Sequence, residues 1–130
     1  MILRILVVDD HVMFRDALSR VLSRFPDIEV VAQAASIAEA RAKLEGIDVV
    51  LADRNLPDGD GLELVATLRE ASPGAALLVM STTLEEVHPG EALDAGAAGV
   101  VDKVASPEEI AAQIRAVRWP DRCSHTTPKE

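Results

Sequence analysis

A chain of 130 residues is about one domain of ordinary size, and with 48% hydrophobic but only 2% aromatic residues its core has to be built from Val, Leu, Ile and Ala rather than from rings. The formal net charge of −9 at pH 7 argues against direct binding to nucleic-acid phosphates, which needs a basic face. No stretch approaches the roughly 20 apolar residues of a membrane span, MILRILVVDD meets acids too early for a signal peptide, and the single cysteine, Cys123, excludes an internal disulfide, so a cytoplasmic chain with no membrane partner is expected.

In chain order, ILRILVV (2–8) is a nearly continuous apolar run, the pattern of a parallel strand covered on both faces, and it stops at Asp9-Asp10. Phe14, Leu18, Val21, Leu22 and Phe25 then recur at helical spacing and should face the sheet, with Pro26 punctuating the return. IEVVAQA (28–34) is a second strand. Ser36 with Glu39 has the S-x-x-E spacing of a capping box and marks a helix start, with Gly46 at its far end.

IDVVLA (47–52) is a third strand that runs straight into Asp53. The residues after it, Asp58, Gly59, Asp60 and Gly61, have turn chemistry. Beyond Pro73-Gly74, ALLVM (76–80, with Ala75 leading) is a fourth strand ending in Ser81-Thr82-Thr83.

In LEEVHPGEALDAG (84–96), Pro89 removes an amide donor and clashes with the preceding turn, so helix before residue 89 should be short or absent and residues 84–88 loop-like. AGVV (98–101) is a short fifth strand leading through Asp102 to Lys103. Ser106, Pro107 and Glu109 then open a last helix carrying Ile110, Ile114 and Val117. From Trp119 the sequence loses periodicity and reads as a polar tail or the start of a linker (119–130). Strands alternating with helices predict an α/β fold: a doubly wound, five-stranded parallel sheet with right-handed crossovers and helices on both faces.

In such a sheet every strand ends on one edge, and ligands bind there. Asp9 and Asp10 end the first strand, Asp53 the third, Ser81 the fourth, and Lys103 follows the fifth. Like charges about 4 Å apart repel by on the order of 4 kcal/mol at an effective dielectric near 20, so the carboxylates need a counter-charge. A Mg²⁺ ion with carboxylate, carbonyl and water ligands would supply it, and Lys103 would neutralise a further share. The same parts suit phosphoryl transfer to an Asp nucleophile. Taken singly, each residue has a plainer role: Asp10 or Ser81 as a helix cap, Asp58 and Asp60 as turn residues, Lys103 as a surface charge. His11, His88 and His125 show no ligand spacing.

VDDH (8–11), DRNLPDGDG (53–61), Ser81 at the end of ALLVM and DAGAAGVVDKVASPEE (94–109) together resemble the receiver domain of two-component response regulators. HVMFRDAL and the last of these segments look most like the LuxR/FixJ-type subfamily, whose receivers precede a helix-turn-helix domain. The similarity covers about residues 2–118, so 1–118 is expected to be the receiver and 119–130 to lie outside it. The resemblance implies a flavodoxin-like (βα)5 sheet with strand order 2-1-3-4-5. It implies Asp53 as phosphoacceptor, Asp10 as direct Mg²⁺ ligand with Asp53 and the backbone carbonyl of Asn55, and Asp9 supporting the metal through water. Ser81 would be the switch hydroxyl and Lys103 the partner of the phosphoryl group. The implied partner is a sensor histidine kinase, and the implied role is a signalling phosphoacceptor rather than a metabolic enzyme. A homodimer is expected to use the first and last helices.

Three features depart from the family pattern. Val100 stands three residues before Lys103, where many receivers have Tyr or Phe. Arg54 follows the acceptor where an apolar residue is common, and Pro89-Gly90 interrupts the fourth helix. Val100 and the disturbed fourth helix keep open a receiver-like interaction module that acts without phosphorylation. An aspartyl-phosphate phosphohydrolase is disfavoured because Asn55 stands where its second Asp, the general acid/base, would be.

Overall fold

A computed structural model describes residues 2–82 and 89–118. Its strands are β1 (Leu3–Val8), β2 (Ile28–Ala34), β3 (Val49–Asp53), the two-residue pair β4 (Asn55–Leu56) and β5 (Gly59–Asp60), β6 (Ala76–Ser81) and β7 (Gly99–Asp102). Its helices are α1 (Val12–Leu22), α2 (Ile37–Arg41), α3 (Leu64–Ala71), entered through a 3₁₀ turn over Gly61–Glu63, α4 (Pro89–Asp94) and α5 (Pro107–Arg118). The five long strands form one parallel sheet in the order β2-β1-β3-β6-β7. Counting only these, the order is 2-1-3-4-5, as expected. The antiparallel β4–β5 ladder follows the acceptor strand, and only its second strand falls within the residues 58–61 read from sequence as turn.

Because successive strand side chains point to opposite faces, the continuous apolar runs divide into two cores. Leu3, Ile5 and Val7 of β1, Val49 and Leu51 of β3, and Leu78 and Met80 of β6 pack with Leu18 and Leu22 of α1 and Ile110 and Ile114 of α5. Leu6, Val8, Val50, Ala52, Leu77 and Val79 face the other way, against Ile37, Leu64, Leu68 and Ala92 of α2, α3 and α4. The two aromatic residues of the first helical stripe, Phe14 and Phe25, pack half-buried against the first core.

The helix starts follow their predicted chemistry. Ser36 accepts the amide of Glu39 at 3.2 Å while Glu39 accepts that of Ala35 at 3.1 Å. Ser106 and Glu109 exchange amide bonds at 3.2 and 3.1 Å, with Pro107 at the first helical position. Asp10 is not a cap: the N-cap of α1 is His11, which makes no side-chain cap bond. Helix α4 begins at Pro89, where a missing amide costs nothing, and spans only six residues. The expected loop at 84–88 and the expected tail at 119–130 lie outside the described residues.

Candidate functional site: a carboxylate cluster closed by a lysine

The two-residue alternation that sorts the core also places the chemistry. Counting on from Val8, Ala52 and Val101, residues Asp9, Asp53 and Lys103 fall toward the α1/α5 side, whereas Arg54, Ser81 and Val100 fall toward the α4 side. Asp9, Asp53 and Ser81 are all buried, at 0%, 5% and 5% exposure, on an edge where buried carboxylates need partners.

Lys103 supplies one. Its Nζ lies 2.6 Å from Asp9 Oδ2 and donates to Asp53 Oδ2 at 3.0 Å, with the lysine side chain 7% exposed. The Asp9 contact is an ion pair off hydrogen-bond angle, leaving Oδ2 of that buried carboxylate without a hydrogen-bond partner among the described residues. Burial pulls the ammonium's pKa down, but the close carboxylates of Asp9 and Asp53 outweigh it and hold the pKa above the ordinary lysine value. The Phe14 ring lies under Nζ, 4.7 Å from ring centroid to nitrogen, and the Lys103 amide donates to the Ser81 carbonyl at 2.9 Å, tying β7 to β6.

The second oxygen of Asp53 accepts the Asn55 amide at 3.1 Å, so both carboxylate oxygens are held. The loop behind it is pressed close. The Gly61 amide donates to the Arg54 carbonyl at 2.9 Å, and a Cβ on Gly61 would stand 2.3 Å from the Asp53 carbonyl oxygen, so only glycine fits. Asp58 and Asp60 are more than turn residues. Asp58 caps α2 by accepting the Ile37 and Ala38 amides at 2.9 and 3.0 Å, and those bonds lower its pKa. Asp60 forms a capping box with Glu63 at the 3₁₀ turn.

Asp9, Asp10, His11 and Asp53 each present one ligand atom within 4.8 Å of the others. Asp10 is exposed beside the buried Asp9. His11 Nδ1 lies 3.0 Å from Asp9 Oδ1 and 3.4 Å from Asp10 Oδ1, and the His11 amide donates to Asp9 Oδ1 at 2.8 Å. Histidine spacing along the chain gave no hint of this, because the neighbours come from adjacency at a strand end. The clustered hard carboxylate donors fit a divalent cation such as Mg²⁺. Sequence reasoning also missed the partners of Arg54: Nε meets Asp60 Oδ2 at 2.9 Å and Nη2 meets Glu91 of α4.

The model of the response regulator receiver domain matches residues 5–115. The chain belongs to the response regulator receiver domain family. The transcriptional regulatory protein UhpA of Salmonella typhimurium is 36% identical over 113 residues, which cover 85% of this chain and 56% of that protein. The receiver therefore spans about half the length of the curated relatives it matches. A LuxR-family response regulator from Aurantimonas superposes with a TM-score of 0.82 at 31% identity, covering 92% of this receiver and 87% of that chain. The receiver domain of a putative NarL from Mycobacterium tuberculosis gives 0.79 at 31% identity, covering 90% and 96%. These relatives place the receiver in the LuxR/FixJ-type subfamily. No helix among the described residues is long and apolar enough to cross a membrane.

Proposed function

We propose that this receiver accepts a phosphoryl group from a sensor histidine kinase onto Asp53 in a Mg²⁺-dependent reaction and so switches a downstream output. The observation that carries this reading is the Lys103 ammonium, brought from the end of β7 to pair with Asp53 at the end of β3 and with Asp9 at the end of β1. A carboxylate oxygen of Asp53 attacks phosphorus, the P–N bond of the phosphohistidine breaks, and its electron pair returns to the imidazole. The product is an acyl phosphate, which water later hydrolyses slowly. Lys103 sits where it can shift from the carboxylate to a phosphoryl oxygen, and Ser81 ends β6 on the same edge. Asp10, Asp9, Asp53 and the Asn55 carbonyl would hold Mg²⁺, which supplies charge neutralisation at the phosphoryl oxygens. The Asn55 amide and Lys103 keep the Asp53 carboxylate in one orientation.

The receiver, residues 1–118, acts in this reading as a cytoplasmic signalling phosphoacceptor and not as a metabolic enzyme, with 119–130 as tail or linker. With a net charge of −9 it does not itself bind DNA, and a transcriptional output would belong to a separate domain. Incubation with acetyl phosphate and Mg²⁺ followed by intact-mass measurement is the test. The native chain should gain one phosphoryl group and Asp53→Asn none. Labelling of Asp53→Asn at the native rate would remove the acceptor assignment. A native chain inert to every donor would favour the second reading, a phosphorylation-independent interaction module, which Val100 in place of a ring and the Arg54–Glu91 pair support.

A further inference from the structure

Helix α1 starts without the usual fastening. Its N-cap, His11, makes no side-chain cap bond, and its first turn holds no acidic residue. A side chain from the start of the helix reaches backwards instead. Arg15, half-buried, donates from Nη1 to the Asp9 carbonyl at 2.7 Å and from Nε to Oε1 of Gln33 on β2 at 3.1 Å. Both neighbours are themselves held. The Asp9 amide donates to the Ala34 carbonyl at 3.0 Å, and the Gln33 carbonyl accepts from Lys43 Nζ at 2.6 Å. The main chain of Arg15 is fixed as well, its amide donating to the His11 carbonyl at 2.9 Å and its carbonyl accepting from the buried Ser19 hydroxyl at 2.7 Å.

The Asp9 carbonyl lies in the same rigid peptide plane as the Asp10 amide, so the tilt that Arg15 imposes on one sets the direction in which Asp10 leaves the strand. Asp10 needs this more than Asp9 does. The Asp9 carboxylate is fully buried, paired with Lys103 and bonded by the His11 amide. Asp10 is exposed, so its direction comes from the backbone before it rather than from packing around its side chain. A guanidinium suits the task, because its donors diverge at fixed angles and one bonded to two strands cannot turn without losing a partner.

We propose that Arg15 is a positioning residue for the cation site: with no hydrogen bond or ion pair to a carboxylate among the described residues, it sets the Asp9–Asp10 peptide so that Asp10 points into the cluster with Asp9 and Asp53. Gln33 is the support that keeps the guanidinium in place. This role rests on the reading of these carboxylates as a Mg²⁺ site. Position and charge have opposite consequences there. A cation beside a divalent-ion site repels the ion, so a role through charge alone means that removing Arg15 tightens Mg²⁺ binding, whereas a positioning role means that removing it weakens binding.

Mg²⁺ titration of the whole chain, followed by the NMR shifts of the amides of residues 9–11 and 55, tests this, with urea denaturation alongside. The native chain should bind saturably. Arg15→Met should raise the dissociation constant about tenfold, as loss of a partner behind a metal ligand does. Gln33→Leu, which changes no charge and lies outside the cluster, should raise it by a smaller factor, and the double variant should bind no more weakly than Arg15→Met, because Gln33 acts only through Arg15. Arg15→Lys, which keeps a donor for the Asp9 carbonyl, should recover part of the affinity. Unchanged or tighter binding by a folded Arg15→Met would overturn the positioning role and leave the cation site standing, and so would additive effects of the two substitutions. If Arg15→Met does not fold, Gln33→Leu decides alone, and native affinity in it would overturn the role. A native chain with no saturable shift would remove the cation site and this role together.

Discussion

Lys103 Nζ lies 3.0 Å from Oδ2 of Asp53, a residue 50 positions earlier in the chain, and both side chains are 7% exposed. Removing one member of a buried ion pair leaves the other charge uncompensated, at a cost of about 3 kcal/mol. Lys103→Ala should therefore lower the unfolding free energy of the metal-free protein, measured by urea denaturation, by about that amount. Added Mg²⁺ should recover part of the loss, so the difference between variant and native melts should narrow with the ion present.

Metal itself should stabilise the native chain, because it relieves repulsion among Asp9, Asp10 and Asp53. At ten times its dissociation constant the gain is about 1.4 kcal/mol by mass action. Thermal melts with and without millimolar Mg²⁺ measure it. An unchanged melting temperature would remove the metal assignment, and Asp10→Asn should shrink the shift without unfolding the protein.

Gly61→Ala is expected to harm both fold and chemistry. Its Cβ would press to 2.3 Å from the Asp53 carbonyl, and backbone cannot swing aside as a side chain can. Overpacking of this kind costs about 1–3 kcal/mol. Urea denaturation should show the loss. Phosphoryl uptake from acetyl phosphate should also slow, because the strain falls on the acceptor's own peptide unit.

Arg115 of α5 forms a two-point pair with Asp27, just before β2, through Nε at 2.6 Å and Nη2 at 2.8 Å. The Arg115 hydrogen bond, ahead of the opposing effect of burial, holds the Asp27 carboxyl below its ordinary value of 3.8. A lowered folded pKa contributes stability that is present above 3.8 and disappears as pH falls through the folded value. With both side chains about one-third exposed, the pair is worth about 0.5–1 kcal/mol. Asp27→Asn should show that deficit at pH 7 and progressively less of it below about pH 4, in urea melts taken across the pH range.

The fold class, the five long strands, the capped starts of α2 and α5 and the residues gathered on the ligand edge were all legible from the chain. Each rests on local periodicity or on the rule that parallel strands end together. Asp53 is recognisable because a carboxylate closing an apolar run has no structural reason to be there. That Lys103 would neutralise part of its charge was expected, but the Asn55 amide on its other oxygen and the face toward which each neighbour turns were not legible. The strand alternation that sends Asp53 toward Lys103 and Arg54 toward Glu91 has meaning only once α5 and α4 are packed on opposite faces, and that packing depends on the whole sheet. Asp58 capping a helix 21 residues earlier and Phe14 beneath Lys103 are likewise products of tertiary proximity, for which neither spacing nor composition carries a signal.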